Sequence, residues 1–422
     1  MTSPVLGTPL VDWSAAAQIA GRVARPGPLA SRDELAELVA GLRAAASDAV
    51  PHVLRVTRMV PAALPGSAAA PGGVASEEPA ELSQVFVVDR PRWARANTEV
   101  MASLTDGVAD ALTGKDDKPV SATTALVGAA QVGAVLAALS SRVLGQFDPY
   151  SAAGGSAERA AGGSAERAAG GSADSAAGGS GLRAAGGSAD SAADGRPDGG
   201  APPGRLLLVA PNVLQLERDL DLVPADFRLW ACLHEQTHAL QFAAAPWLAD
   251  HLRARAHDLL VGLSESSRHL ADARLREKVA TAGRVVVRAV RGEGGGVAEG
   301  LLTQDQKAVL EEVSGVMALL EGHADVMMDA VGRRTVPTVR RIRAQFEARR
   351  DGQGSSTLDT VLRRFLGMDA KLAQYRDGAA FVRAVERQVG RDGLNAVWTS
   401  PGTLPSAREI AEPGAWVRRV HG

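Results

Sequence analysis

The tightest limit on how this chain folds is set by five residues, His234-Glu235-Gln236-Thr237-His238. A helix turns once in about 3.6 residues, so side chains four apart project from one face. The two imidazoles can then grip one ion, and Glu235 falls beside them. The motif therefore demands a helix across residues 234–238. The apolar neighbours Leu229, Trp230 and Leu233 demand that this helix be buried. A buried Glu235 needs a reason to be there, because an unpaired carboxylate is costly to desolvate.

The chemistry of the triplet is that of a zinc site with a base at its side. Histidine nitrogens suit zinc, and a carboxylate next to the ion can take a proton from bound water. Two histidines leave a catalytic zinc site one protein ligand short. In Leu320-Glu321-Gly322-His323-Ala324-Asp325, Glu321 and Asp325 again lie four apart on one face. Glu321 is the favoured third ligand. His323 is its rival, but stands about 200° round the helix from Glu321, so the two do not readily face one ion. The Glu321–Asp325 pairing is similar to the ExxxD element of the gluzincin peptidases. That likeness implies zinc ligation by Glu321 and orientation of a ligand histidine by Asp325. The latter role is physically sensible, since metal-bound imidazoles normally donate their other N–H to a carboxylate or carbonyl. Glu235-Gln236-Thr237-His238 also reads as the Glu-x-x-His of di-iron bundles, but no second copy is found.

A hydrolytic site often adds a donor for the developing oxyanion. Of the two tyrosines, Tyr150 borders a low-complexity segment, and Tyr375 lies in a helical stretch able to fold over a cleft. Tyr375 is the candidate. A packed aromatic with a hydrogen-bonded hydroxyl explains it equally well, and His257 and Arg340 remain alternatives.

Composition narrows the class. The 422 residues are 45% hydrophobic and 22% charged, with a net charge of −2 and basic residues interleaved with acidic ones. That balance does not suit a nucleic-acid binder, which would show a clustered basic excess. The single Cys232 forbids an internal disulfide and fits a reducing compartment; it reads as a small buried hydrophobe. Residues 1–26 lack the pattern of an export signal. Residues 125–139 are too short and too rich in Gly and Ala for a membrane span, and read as a packed core helix. The expected location is the cytoplasm, with no membrane partner and the oligomeric state left open.

Helical spacing marks residues 11–24 and 31–46, the second capped by Ser31 with Glu34 as its capping-box partner. Residues 61–79 read as a loop. Residues 85–88 are either a short strand or the lead-in to a helix over 91–112 capped by Asp89, and a further helix spans 125–145. From residue 152 the octapeptide AAGGSAER and its variants repeat five times. Solenoid units need at least about 20 residues and a face to stack. A flexible low-complexity linker is the expected reading, and residues 151–203 are set outside the fold. Leu206-Leu207-Leu208-Val209 reads as a buried strand, either plain core or an edge beside the metal helix for extended peptide. Asp226 is read as the cap of the motif helix, which runs to about 242. A long helix follows over 247–290, then a Gly-rich break. Thr303 with Gln306 opens a helix ending at Gly332, and shorter helices fill 337–420.

The stretches 229–252 and 317–332, with 88–97, 204–212 and 397–420, resemble a zincin-like metallopeptidase family of gluzincin type, one associated with biosynthesis of the deazaflavin redox coenzyme. The resemblance implies a mainly α, α+β zincin-like fold: a helical domain with a small sheet beside the HExxH helix. Residues 1–150 and 204–422 would be parts of that one domain, with 151–203 inserted. It also implies His234, His238 and Glu321 as ligands and Glu235 as base. The 82 residues between His238 and Glu321 exceed the gluzincin spacing, so an intervening helix must return Glu321 to the ion.

Two classes of function follow. A zinc-dependent peptidase or amidase, acting on a peptide or small amide, uses Glu235 as its base. A zinc-stabilised scaffold that binds a partner has no use for one, and a small-metabolite amidohydrolase is a third reading. Structural zinc takes four protein ligands. Three ligands beside an intact base favour catalysis.

Overall fold

The computed structural model describes residues 11–62, 81–106, 122–151, 204–272, 303–350 and 368–422, the side chains of 263–272, 349–350 and 368–376 excepted. Its centre is a small sheet. Strand β3 (Arg205–Val209) lies between β1 (Gln84–Val88), parallel to it, and β2 (Gly145–Asp148), antiparallel. All five residues of β3 are buried. Side chains alternate across a strand, so Leu206 and Leu208 join the main core while Leu207 and Val209 enter a smaller cluster on the opposite face. That two-sided burial explains the unbroken apolar run in the sequence.

On the smaller cluster's side lie α1 (Trp13–Val23), α3 (Arg90–Leu104) and α4 (Ala122–Leu139). Asp89 caps α3 as expected, accepting the Arg92 N–H at 2.7 Å. Helix α4 stops at residue 139, short of the expected 145, because Gly145–Asp148 form β2 instead. The reading of α4 as a packed core helix holds for one face only. Ala125, Ala129 and Leu136 are buried, whereas Leu126, Val127 and Val135 are exposed. Among the described residues it is the one helix long and apolar enough to cross a membrane.

The main core is helical and draws on both sides of the low-complexity segment. It joins α2 (Arg32–Thr57), α5 (Ala210–Asp219), α6 (Pro224–Ala244), α7 (Trp247–Asp272), α8 (Gln304–Val331), α9 (Val339–Arg350) and α10 (Met368–Leu394). The short α11 (Ala407–Ala411) and α12 (Pro413–His421) close it with Ile410 and Trp416. Ser31 caps α2, which runs past the expected residue 46 and through Pro51 to Thr57. The Thr303–Gln306 capping box opens α8, and Gly332, at φ 82°, ends it. Helix α10 is interrupted at Gly390, whose φ of 73° and ψ of 179° are not helical, so Met368–Leu394 is two shorter helices joined at a kink, in line with the expectation of helices separated by glycine. The expected extension of α7 to residue 290 lies outside the described residues.

One capping assignment is corrected. Pro224 occupies the first turn of α6 and Val223 its cap position, without a side-chain cap. Asp226, inside that turn, instead accepts from the Thr338 N–H at 2.8 Å and hydroxyl at 2.6 Å. The carboxylate thus ties the start of α6 to the start of α9.

Candidate metal centre

Helix α6 is buried on nearly every side, with Leu233, Ala239 and Leu240 fully enclosed. It can bring polar side chains into the interior only where partners await them. His234 and His238 extend from one face, their Nε2 atoms 3.2 Å apart. Helix α8 presents Glu321 to that face. One carboxylate oxygen lies 3.4 Å from His234 Nε2 and the other 3.7 Å from His238 Nε2. Among the described residues these three form the one group of donors close enough to share an ion.

The spacing fits zinc. Ligands at about 2.0–2.1 Å in tetrahedral geometry lie about 3.3–3.4 Å from one another. The three donor atoms thus stand close to the positions they would take around one ion. Electrostatics agree, since a trio of two bases and an acid is held together by sharing a proton. Burial works against a charge on His234, but the hydrogen bond and charge of Glu321 more than offset it and raise its pKa. Burial likewise opposes ionisation of Glu321, and His234 and His238 override it, lowering that pKa. A divalent cation is the natural replacement for that proton.

Glu235 stands one position round from His234 and is itself buried. It rests on the free edge of the sheet. A Cβ on Gly145 would meet its Cγ at 2.7 Å and its Cδ at 2.9 Å, so glycine is what leaves room for the carboxylate. The Phe147 backbone N–H donates to it. Burial pushes the Glu235 pKa up to about 7, with Glu321 adding to the rise and His234 and the Phe147 N–H opposing it. A carboxyl group poised near neutrality suits proton transfer.

Two sequence expectations are resolved at this point. Residues 206–209 were open to two readings, an edge beside the metal helix or plain core, and the second holds, because β3 is the central strand and has no free edge. The edge next to Glu235 is β2, whose Gly, Gln and Asp gave little strand signal. Asp325 does not hydrogen-bond either histidine. Arg343 from α9 takes its carboxylate at 2.5 Å and also pairs with Asp329 at 2.8 Å. Asp325 reaches His234 only through its charge. The partners at the outer ring nitrogens are others: Met328 Sδ lies 3.3 Å from His234 Nδ1, and Gln241 Oε1 lies 2.8 Å from His238 Nδ1. Gln241 stands three residues after His238, a spacing that makes helix neighbours. The sequence thus held a signal for it.

His323 is fully buried, is not part of the donor trio and packs edge-on against Trp398. Tyr375 falls within α10, but its side chain lies outside the described residues. Tyr150 is held by burial well above its usual pKa, at about 12, with Arg253 over its ring. Arg340 is exposed on α9, and His257 lies half-buried along α7. Cys232 is buried, as expected.

A buried HExxH helix, a carboxylate returned by a second helix and a sheet edge against Glu235 define the class of zincin-like proteins. The chain belongs to the zincin-like metallopeptidase family, which it matches over residues 11–417. It is also similar to a crystal structure from Chloroflexus aurantiacus, described as a candidate hydrolase with a novel fold. Identity is 27%, the TM-score 0.56, and the match spans 97% of this chain and 99% of that one. No curated protein matches the chain.

Proposed function

We propose that the protein is a zinc-dependent hydrolase that cleaves a peptide or small amide bond, with Glu235 as general base. One observation carries the reading. Glu321, distant in sequence, closes a three-donor group with His234 and His238, while Glu235 stands beside that group and is not part of it. A structural site would have spent a fourth protein ligand and needed no base.

Zinc held by the three donors would supply Lewis acidity, polarising the scissile carbonyl and acidifying water. Glu235 removes one proton from the attacking water as its oxygen adds to the carbonyl carbon. The C–N bond then breaks, and the same carboxyl group delivers that proton to the departing nitrogen. The Phe147 N–H and the space above Gly145 aim the carboxylate during both transfers. The further association with deazaflavin-coenzyme biosynthesis is what the family resemblance implies, and the chemistry of the site neither requires nor opposes it.

The test is digestion of a peptide library by the full-length protein, with and without chelator, followed by two variants. His234→Ala is expected to lose zinc. Glu235→Gln is expected to retain zinc and lose turnover by roughly 10²–10⁴-fold, the usual worth of a positioned base. Full activity in Glu235→Gln would overturn the reading.

A further inference from the structure

A neutral imidazole has one nitrogen that carries the proton and one with a lone pair to give, and only the second can hold an ion. For His238 the choice can be worked out from a group whose role is fixed. Gln241 is fully buried on α6, close to His238. One end of its amide only accepts and the other only donates. The Leu320 carbonyl, 2.9 Å from Gln241 Nε2, can only accept. The NH₂ end must therefore face Leu320, which turns Oε1 toward His238 Nδ1 at 2.8 Å. An oxygen there requires a proton on Nδ1. Nε2 is left bare, and Nε2 is the atom that faces His234 and Glu321.

The second N–H of the same amide points to His323 Nδ1 at 3.0 Å, so that nitrogen accepts and the His323 proton sits on Nε2. His323 Nε2 has no hydrogen-bond partner among the described residues. A buried N–H left unpaired is costly, so a histidine is a poor filler for this place unless its other nitrogen is needed.

We infer that Gln241 is a positioning residue that locks His238 in the tautomer able to bind metal, and that the Leu320 carbonyl and His323 lock Gln241 in turn. Leu320 immediately precedes Glu321. The same amide therefore sets the register of α8 against α6, aligning the third donor with the first two. The inference rests on the zinc reading above and adds to it the means by which the site is assembled before any ion arrives.

The experiment uses the full-length protein, with zinc affinity read by competition against a chromophoric chelator. The protonated nitrogen of His238 is read by ¹⁵N NMR of the metal-free chain. In the wild type the proton is expected on Nδ1; finding it on Nε2 overturns the inference with no variant needed. Gln241→Leu is expected to bind zinc roughly 10–100-fold more weakly, the usual cost of losing a hydrogen-bond partner behind a ligand, and to release the tautomer. Gln241→Glu still accepts at His238 and so keeps the Nδ1 proton, but it loses the amide donors to Leu320 and His323, so its affinity is expected to fall less than that of Gln241→Leu. A merely structural glutamine would lower stability in both variants without separating them in affinity. Wild-type protein that binds zinc, with a folded Gln241→Leu unchanged in affinity and tautomer, sinks this inference alone. A wild-type chain that takes up no zinc sinks the zinc reading and this inference together.

Discussion

At the scale of single residues, Glu235, the proposed base, is placed by an absence. A methyl group on Gly145 would overlap the Glu235 side chain, which can swing aside at small cost to folding. Gly145→Ala is therefore expected to fold and hold zinc like the wild type. Its base would be displaced, and a misplacement of about 1 Å costs on the order of 10²-fold in rate. Comparing turnover with zinc content on a substrate the wild type cleaves checks this, and an unchanged turnover refutes it. Which residues were legible follows the same logic. The meeting of His234 with His238 follows from the helical period alone. The pairing of Glu321 with them needed a guess about tertiary structure, and the residues behind the rings needed more. Asp325 has the spacing of a histidine partner, but Arg343 from another helix claims it, and no local pattern foretells such a competition. Gln241 and Met328 stand in its place as side chains of unremarkable type.

Among elements, α8 and α10 cross closely, with glycines at the point of contact. A Cβ on Gly322 would run into the backbone of Gly378 and Ala379, and one on Gly378 into the Ala318 carbonyl. Backbone cannot rotate away as a side chain can. Gly378→Ala is expected to cost stability at the upper end of the roughly 1–3 kcal/mol typical of overpacking, measured by denaturant unfolding. Zinc affinity should fall with it, since Gly322 sits between Glu321 and His323; unaltered stability would mean the helices separate freely. Most helices could be read from the sequence because caps and apolar spacing are local signals, as at Ser31, Asp89 and Thr303. Strand β2 could not. Its four residues draw their conformation from pairing with β3, and an edge strand of Gly, Gln, Phe and Asp shows no alternation to betray it. Asp226 misled for a related reason, since a good capping residue served a tertiary bond.

Across the whole molecule, the register of β2 on β3 places Asp148 opposite Arg205. The residues flanking the low-complexity segment thus meet at the mouth of a hairpin, a place where an insertion can enter without parting the strands. Replacing residues 152–203 by a short turn is expected to preserve folding and zinc binding. With that segment read as a linker, loop closure alone predicts a gain of roughly 2 kcal/mol, seen as a higher melting temperature. Loss of the fold on deletion would show that the segment contributes to it. The repeat itself was plain in the sequence, but its place between two paired strands was not, because one of the two strands went unrecognised. The parallel pairing of β1 with β3 was equally hidden, as nothing local links partners so far apart.

The division of the three donors between α6 and α8 carries a last consequence. An ion shared by those helices is a removable cross-link across the 82 residues that separate His238 from Glu321. Free zinc at a hundredfold excess over its dissociation constant adds about 2.7 kcal/mol to the stability of the fold. On the zinc reading proposed above, metal supply would govern how long the folded chain endures as well as whether it can act.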